Sequence, residues 1–166
     1  RRDVMGDFEQ RLAAAQAKER VVRAEAAAKA AAAAEAAQRR HAERTARAHA
    51  LLPEVHRAAA ALQRSGRTVR GNTVSYWDGR SYRGGVIRRA ITRSTPGWRV
   101  GNLFVPVSGP PQVVAKTKRY SLEEFASIGS VSWTDEGYGS SGPSSTTIEA
   151  DREYDSALSA IAQYLA

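Results

Sequence analysis

Large apolar side chains are scarce and clustered over the first fifty residues: Val4, Met5, Phe8 and Leu12 come first, then Val21 and Val22, then none until Leu51. What lies between, as in AEAAAKAAAAAEAA at residues 24–37, is rich in alanine, which loses no side-chain entropy on becoming helical. Glu25 also precedes Lys29 by four positions, the favourable order for a pair on one helix face. Apart from Gly6, no helix breaker occurs from Asp3 to Leu51, and a helix over most of that span is about 70 Å long at roughly 1.5 Å per residue. That exceeds the width of a domain of this size, so part of it is expected to project. Alanine methyls bury little area, so the usual stabiliser of a helix, an apolar face against a core, is missing.

Tested as a heptad seam, Phe8, Leu12, Ala15, Glu19, Val22, Ala26, Lys29, Ala33 and Ala36 alternate by four and three. The charged entries at 19 and 29 interrupt it. The pattern fits an alanine-rich, closely packed coiled coil or antiparallel helix pair, with Phe8, Leu12, Ala15, Val22, Ala26 and Ala33 as its apolar contact residues.

LLPEVHRAAAALQRSG, from Leu51, reads as a second helix with Leu51, Leu52, Val55, Ala59 and Leu62 on one face and Gly66 as its C-cap. Pro53 suits a first turn, and inside a longer helix it removes a hydrogen bond, so a kink or break is expected near 51–53.

From Arg67 the pattern changes to short β-branched and aromatic runs. Asp78-Gly79, between Tyr76-Trp77 and the run from Arg80 to Tyr82, is the strongest short hairpin signal. GVIRRAITR, WRVGNLFVPV and QVVAKTKRY follow as strands, with turns expected at Ser94-Thr95-Pro96-Gly97 and Ser108-Gly109-Pro110-Pro111. Ser121 and Glu124 form a capping box that opens the short helix LEEFASI, closed by Gly129, and SVSWT makes a last strand. A polar loop, expected to be mobile, occupies 135–145. Thr146 and Glu149 then suggest another capping box before Tyr154, Leu158, Ile161 and Leu165, which repeat at helical spacing. The expected fold is α+β: a helical, coiled-coil-like region over 1–66, then a small antiparallel meander with a short helix and a C-terminal amphipathic helix over 67–166.

Charge divides the chain more sharply than its net +8 suggests. Residues 1–65 carry 13 basic and 8 acidic groups, residues 66–120 carry 11 and 1, and residues 121–166 carry 1 and 8. A basic middle can face an anionic partner or be neutralised by the acidic tail. There Tyr76, Trp77 and Tyr82 interleave with Arg70, Arg80, Arg83, Arg88, Arg89 and Arg93, a composition able to stack bases and hold phosphates. It does not match the RNP pattern of RNA-recognition motifs. The excess of arginine over lysine, with so much alanine, is also the composition of a high-GC bacterial or phage genome.

Signals for chemistry are few. There is no cysteine, hence no disulfide and no thiolate site. His41, His49 and His56 all lie in the helical region without zinc-ligand spacing and read as solvated positions. Gly137-Tyr138-Gly139-Ser140-Ser141-Gly142 matches the letters of a dinucleotide fingerprint, but no second strand follows and Pro143 intervenes. No catalytic, cofactor or metal residue is expected. No motif is specific enough to name a family, and no apolar run is long enough to span a membrane. RRDVMGDF has the arginines of an export signal without its apolar core and reads as an internal start.

The expectation is a non-enzymatic structural or adaptor protein, cytoplasmic or within a phage particle, using its helix for oligomerisation or docking on a protein partner. The alternative is nucleic-acid binding through the basic aromatic-containing sheet at 67–120.

Overall fold

A computed structural model describes residues 2–67, 71–81, 88–116, 118–137 and 139–166, with side chains described for 6–67, 97–116, 118–137 and 139–166. Its α1 is a helix spanning Arg2–Arg64. The expected break at 51–53 is absent, and Pro53 lies inside this one helix rather than opening a second. A proline there costs about 3 kcal/mol. The turns around it offset that cost by burial, since Ala48, Val55, Ala59 and Leu62 are all at most 2% exposed. Ser65 ends the helix by donating its hydroxyl to Leu62 O at 2.6 Å, and Gly66 takes φ +62°, the left-handed conformation that suits a glycine past a helix end.

Five antiparallel strands follow in sequential order: β1 (Gly71–Ser81), β2 (Arg88–Val100), β3 (Leu103–Pro106), β4 (Gln112–Ala115) and β5 (Lys118–Ser121). The meander is as expected, and so is the turn at Ser108-Gly109-Pro110-Pro111, which lies between β3 and β4; the other expected turns are not. Asp78-Gly79 is not a hairpin turn: Trp77 pairs with Ala90 and Ser81 with Arg88, so Asp78, Gly79 and Arg80 stand against Arg89 alone. The glycine is absorbed in a bulge, the other place where a strand accommodates one. Ser94-Thr95-Pro96-Gly97 is likewise part of β2.

That long strand changes partner at this point, pairing with β1 over 88–96 and with β3 over 97–100. Gly97 is required at the changeover, because a Cβ there would come within 2.5 Å of Val105 O and 2.7 Å of Phe104 Cζ. The turns after β2 and after β4 fall inside runs expected to be single strands. Gly101-Asn102, with φ +60° at Gly101, divides WRVGNLFVPV, and Lys116, at φ +54°, begins the loop that divides QVVAKTKRY.

Helix α2 (Leu122–Ile128) starts as expected, with Ser121 Oγ accepting the N–H of Glu124 at 3.1 Å, and ends at Gly129, whose N–H bonds Phe125 O. Strand β6 (Ser130–Asp135) then pairs with β7 (Ser144–Glu149), a strand where the sequence suggested a helix start. Thr146 faces Trp133 across this hairpin instead of capping a helix, and α3 (Ala150–Leu165) begins at Ala150 without a side-chain cap.

Leu103, Val105, Val113 and Ala115 point from the meander into one core shared with Val55 and Leu62 of α1, Leu122 and Phe125 of α2, and Tyr154 and Ile161 of α3. Phe104 and Val114, the alternate positions, make a small cluster of their own. Of the stripe expected on α3, Tyr154 and Ile161 are buried, and Leu158 and Leu165 pack half-buried at the core's edge. Tyr154 donates to Leu122 O at 2.5 Å and meets Phe125 edge-on, with 6.0 Å between ring centroids. Burial, with a smaller contribution from the Glu123 charge, raises its hydroxyl's pKa well above the usual tyrosine value, which keeps the donor proton in place.

By internal contacts the chain divides into two units, Arg1–Ala42 and Glu43–Ala166. The division falls within α1, not at residue 66 where its sequence pattern changes. The helix's last turns carry Val55, Ala59 and Leu62 into the second unit's core.

Candidate interaction surface

From residue 6 to 42 every residue is exposed except Gly6 and Ala36, which are half-buried. The helix here is held by its own chemistry: alanine, and ion pairs one turn apart at Asp7–Arg11 (3.0 Å), Glu19–Arg23 (2.6 Å) and Glu35–Arg39 (2.5 Å). Each such pair contributes only about 0.3–0.5 kcal/mol. Phe8 is 65% exposed, Leu12 46%, Val21 57% and Val22 55%. The apolar contact residues Phe8, Leu12, Ala15, Val22, Ala26 and Ala33 therefore lie on an open helical surface. They recur every three or four residues, or at sums of these, which keeps them on one side of the helix.

The second unit is closed by polar contacts between distant parts of the chain. Asp151, 8% exposed, lies between two arginines of α1: Arg47 Nη2 is 3.0 Å from its Oδ2, and Arg44 Nε is 3.8 Å from its Oδ1. Arg44 also reaches Glu149 at 3.3 Å. The acidic start of α3 thus meets α1, whereas the sequence suggested that it would meet arginines of the sheet. Glu153 accepts the Asn102 N–H at 2.6 Å beside the Gly101 turn. Arg67 donates to Tyr164 O at 2.6 Å and stacks 5.1 Å from the Tyr164 ring centroid, satisfying carbonyls at the end of α3.

Two of the three histidines are structural rather than simply solvated. His49 shares a hydrogen bond with Ser127 at 3.3 Å, and His56 Nε2 lies 2.6 Å from Glu123 Oε1, so both ends of α2 are tied to α1. The Glu123 carboxyl is held below its ordinary range, first by its own backbone N–H at the helix start and then by His56.

The residues of the basic-sheet reading are only partly placed. Arg70, Tyr82 and Arg83 lie outside the described residues. The backbones of Tyr76, Trp77, Arg80, Arg88 and Arg89 belong to the β1–β2 ladder, where Tyr76 pairs with Ile91 and Trp77 with Ala90. Tyr76 and Trp77 are consecutive in one strand, and consecutive strand positions alternate between the two faces of a ladder.

A groove of about 480 Å³ is lined by Glu54 and Ala58 of α1 and by Leu158, Ser159, Ile161, Ala162 and Leu165 of α3. No group of three or more His, Cys, Asp or Glu side chains placed to hold a metal occurs among the described residues. The Gly137–Gly142 run joins the antiparallel strands β6 and β7, not a strand to a helix as a dinucleotide site requires.

Fold and surface together define an α+β protein with one very long, largely unpacked N-terminal helix. No protein-family model, curated protein or solved structure matches the chain. No helix among the described residues is long and apolar enough to cross a membrane.

Proposed function

We propose that this chain is a non-enzymatic structural or adaptor protein, part of a bacterial or phage assembly, in which the 6–42 segment of α1 mediates oligomerisation or docking on a protein partner. The observation that carries the reading is a helical segment with large apolar residues at Phe8, Leu12, Val21 and Val22, all 46–65% exposed. Helices in proteins are stabilised chiefly by burying an apolar face, and Phe8, Leu12 and Val22 lie on one side of this one without a cover. The test is sedimentation velocity across a concentration series on the full chain and on Phe8→Asp/Leu12→Asp. The full chain is expected to associate and the double variant to sediment as a monomer, with the thermal transition of the 43–166 unit unchanged. A full chain that remains monomeric at the highest concentration removes oligomerisation.

The second reading, nucleic-acid binding, is favoured by one placement: Tyr76, Trp77, Arg80, Arg88 and Arg89 all belong to a single two-stranded ladder. Phosphate contacts release counterions, so its signature is affinity for single-stranded or duplex oligonucleotides that falls steeply between low and moderate salt. Fluorescence anisotropy that shows no binding even at low salt removes it.

A further inference from the structure

The two charged residues that interrupt the seam of α1 carry information about its partner. Written as heptads, the seam places Leu12, Glu19, Ala26, Ala33 and Arg40 at a positions, and Phe8, Ala15, Val22, Lys29 and Ala36 at d positions. Reverse this helix against itself about Ala24, and every seam position meets another seam position. Leu12 meets Ala36, Ala15 meets Ala33, Glu19 meets Lys29, Val22 meets Ala26 and Phe8 meets Arg40. Each of these layers joins an a position to a d position, the layering an antiparallel pair requires; a parallel pair sets a against a and d against d.

We infer that the occupant of this surface is a second copy of the chain, paired antiparallel over residues 8–40 with its twofold axis at Ala24. This deepens the reading above and rests on it.

Charge selects the orientation. In a parallel homodimer Glu19 would lie against Glu19 and Lys29 against Lys29. In the antiparallel one, Glu19 of each copy lies against Lys29 of the other, and symmetry makes the contact twice. Among the described residues, Lys29 has no ion-pair partner in its own chain, and Glu19 is paired only with the exposed Arg23. Size agrees with charge. Leu12 and Val22, the large aliphatic entries, each fall opposite an alanine, and Ala15 opposite Ala33 lets the backbones approach closely. The Arg40 guanidinium and stem can cover the Phe8 ring, which is 65% exposed in the single chain. Either orientation sets like charges side by side on the flanks: Lys18 beside Arg23 when parallel, and Glu25 beside Glu25, Arg23 beside Arg23 and Arg11 beside Arg39 when antiparallel, where Arg11, Arg23 and Arg39 each keep a carboxylate one turn away in their own chain, at Asp7, Glu19 and Glu35. The orientation is therefore set in the seam.

The chain has no cysteine, so one can be introduced alone and spin-labelled. Gln10 and Ala24 both lie on the outer face of the proposed pair. Double electron–electron resonance on Gln10→Cys is expected to give an intermolecular distance of about 40 Å or more, since positions 10 and 38 are level in the pair at 1.5 Å per residue. Ala24→Cys, at the axis, is expected to give about 20 Å, roughly two helix diameters. A parallel pair gives the same short distance at both positions and overturns the orientation. Glu19→Lys sets two lysines against each other at both ends of the pair, the introduced one facing Lys29 of the other copy, and is expected to raise the dimer Kd at least about tenfold in sedimentation equilibrium; in a parallel pair it merely exchanges one like-charge contact for another. A dimer whose Kd is unmoved by Glu19→Lys also overturns the proposal. A chain that is monomeric throughout defeats the self-association reading itself, an outcome distinct from a dimer of the wrong orientation.

Discussion

A chain ending at Pro143 is expected to lose the cooperative unfolding transition of the 43–166 unit, although its N-terminal helical signal survives. The cut removes β7 and α3, and with them Ile148, Ala150, Tyr154, Ala157 and Ile161, each at most 7% exposed. Full burial of a large apolar side chain contributes about 1.5–3 kcal/mol, and a whole domain is stable by only about 5–15 kcal/mol. Three such residues account for much of that margin. The damage extends beyond lost area, because Phe125 loses the Tyr154 ring, Leu122 O loses the Tyr154 hydroxyl, and β6 loses its only strand neighbour among the described residues. Near-UV circular dichroism and tryptophan fluorescence read this unit more directly than far-UV helicity, which α1 dominates. A truncated chain that kept a sharp melting transition in those signals would show that α3 is dispensable to the core.

The second large effect belongs to Asp151. From sequence, Asp151 and Asp155 are equivalent acidic positions on the first turns of a surface helix, and neutralising either should cost little. The structure separates them: Asp155 is exposed, while Asp151 is 8% exposed between Arg44 and Arg47. Asp151→Ala is expected to destabilise the unit by about 2–4 kcal/mol, because it leaves the half-buried Arg44, whose Nε has no hydrogen-bond partner of its own, with Glu149 alone as counter-charge. Asp155→Ala is expected to change stability by less than about 0.5 kcal/mol, as exposed positions do. Urea denaturation of both variants gives the comparison. Equal costs would mean that Arg47, whose side chain is 60% exposed, carries the contact into solvent and that the burial is inconsequential.

The elements themselves were largely legible, because their signals are local. The alanine-rich helix, the Val55-Ala59-Leu62 face, the Ser121 and Gly129 caps and the Tyr154-Ile161 stripe each depend on residues within a turn or two of one another. Turns were less legible. Asp-Gly is a strong hairpin signal only when the register around it allows, and the register here places that pair in a bulge. Lys116 at φ +54° carries no turn signature at all.

Strand β7 was missed because Ser-Ser-Thr-Thr-Ile-Glu satisfies two rules at once, β-branched alternation and the Ser/Thr-to-Glu spacing of a helix start. Only the pairing with β6, which lies earlier in the chain, decides between them. The spacing on which the candidate surface rests is readable from sequence, since heptad spacing is a property of one helix. The Arg44–Asp151 and Arg47–Asp151 contacts were not, because nothing within either segment points to the other.

Those closing contacts bear on the order in which the chain acquires structure. Arg47 bonds Asp151 across 104 positions, and Arg67 bonds Tyr164 O across 97. Contacts so far apart pay the full entropy of loop closure before they return anything, so they form slowly and late. During synthesis the helix of residues 6–42, whose bonds each span one turn, can form as it leaves the ribosome. The core that the later turns of α1, after residue 42, help to form must wait for α3. Until then the Val55-Ala59-Leu62 face has no permanent cover, and a nascent chain is open to the wrong partner there, in the interval between translating α1 and translating α3.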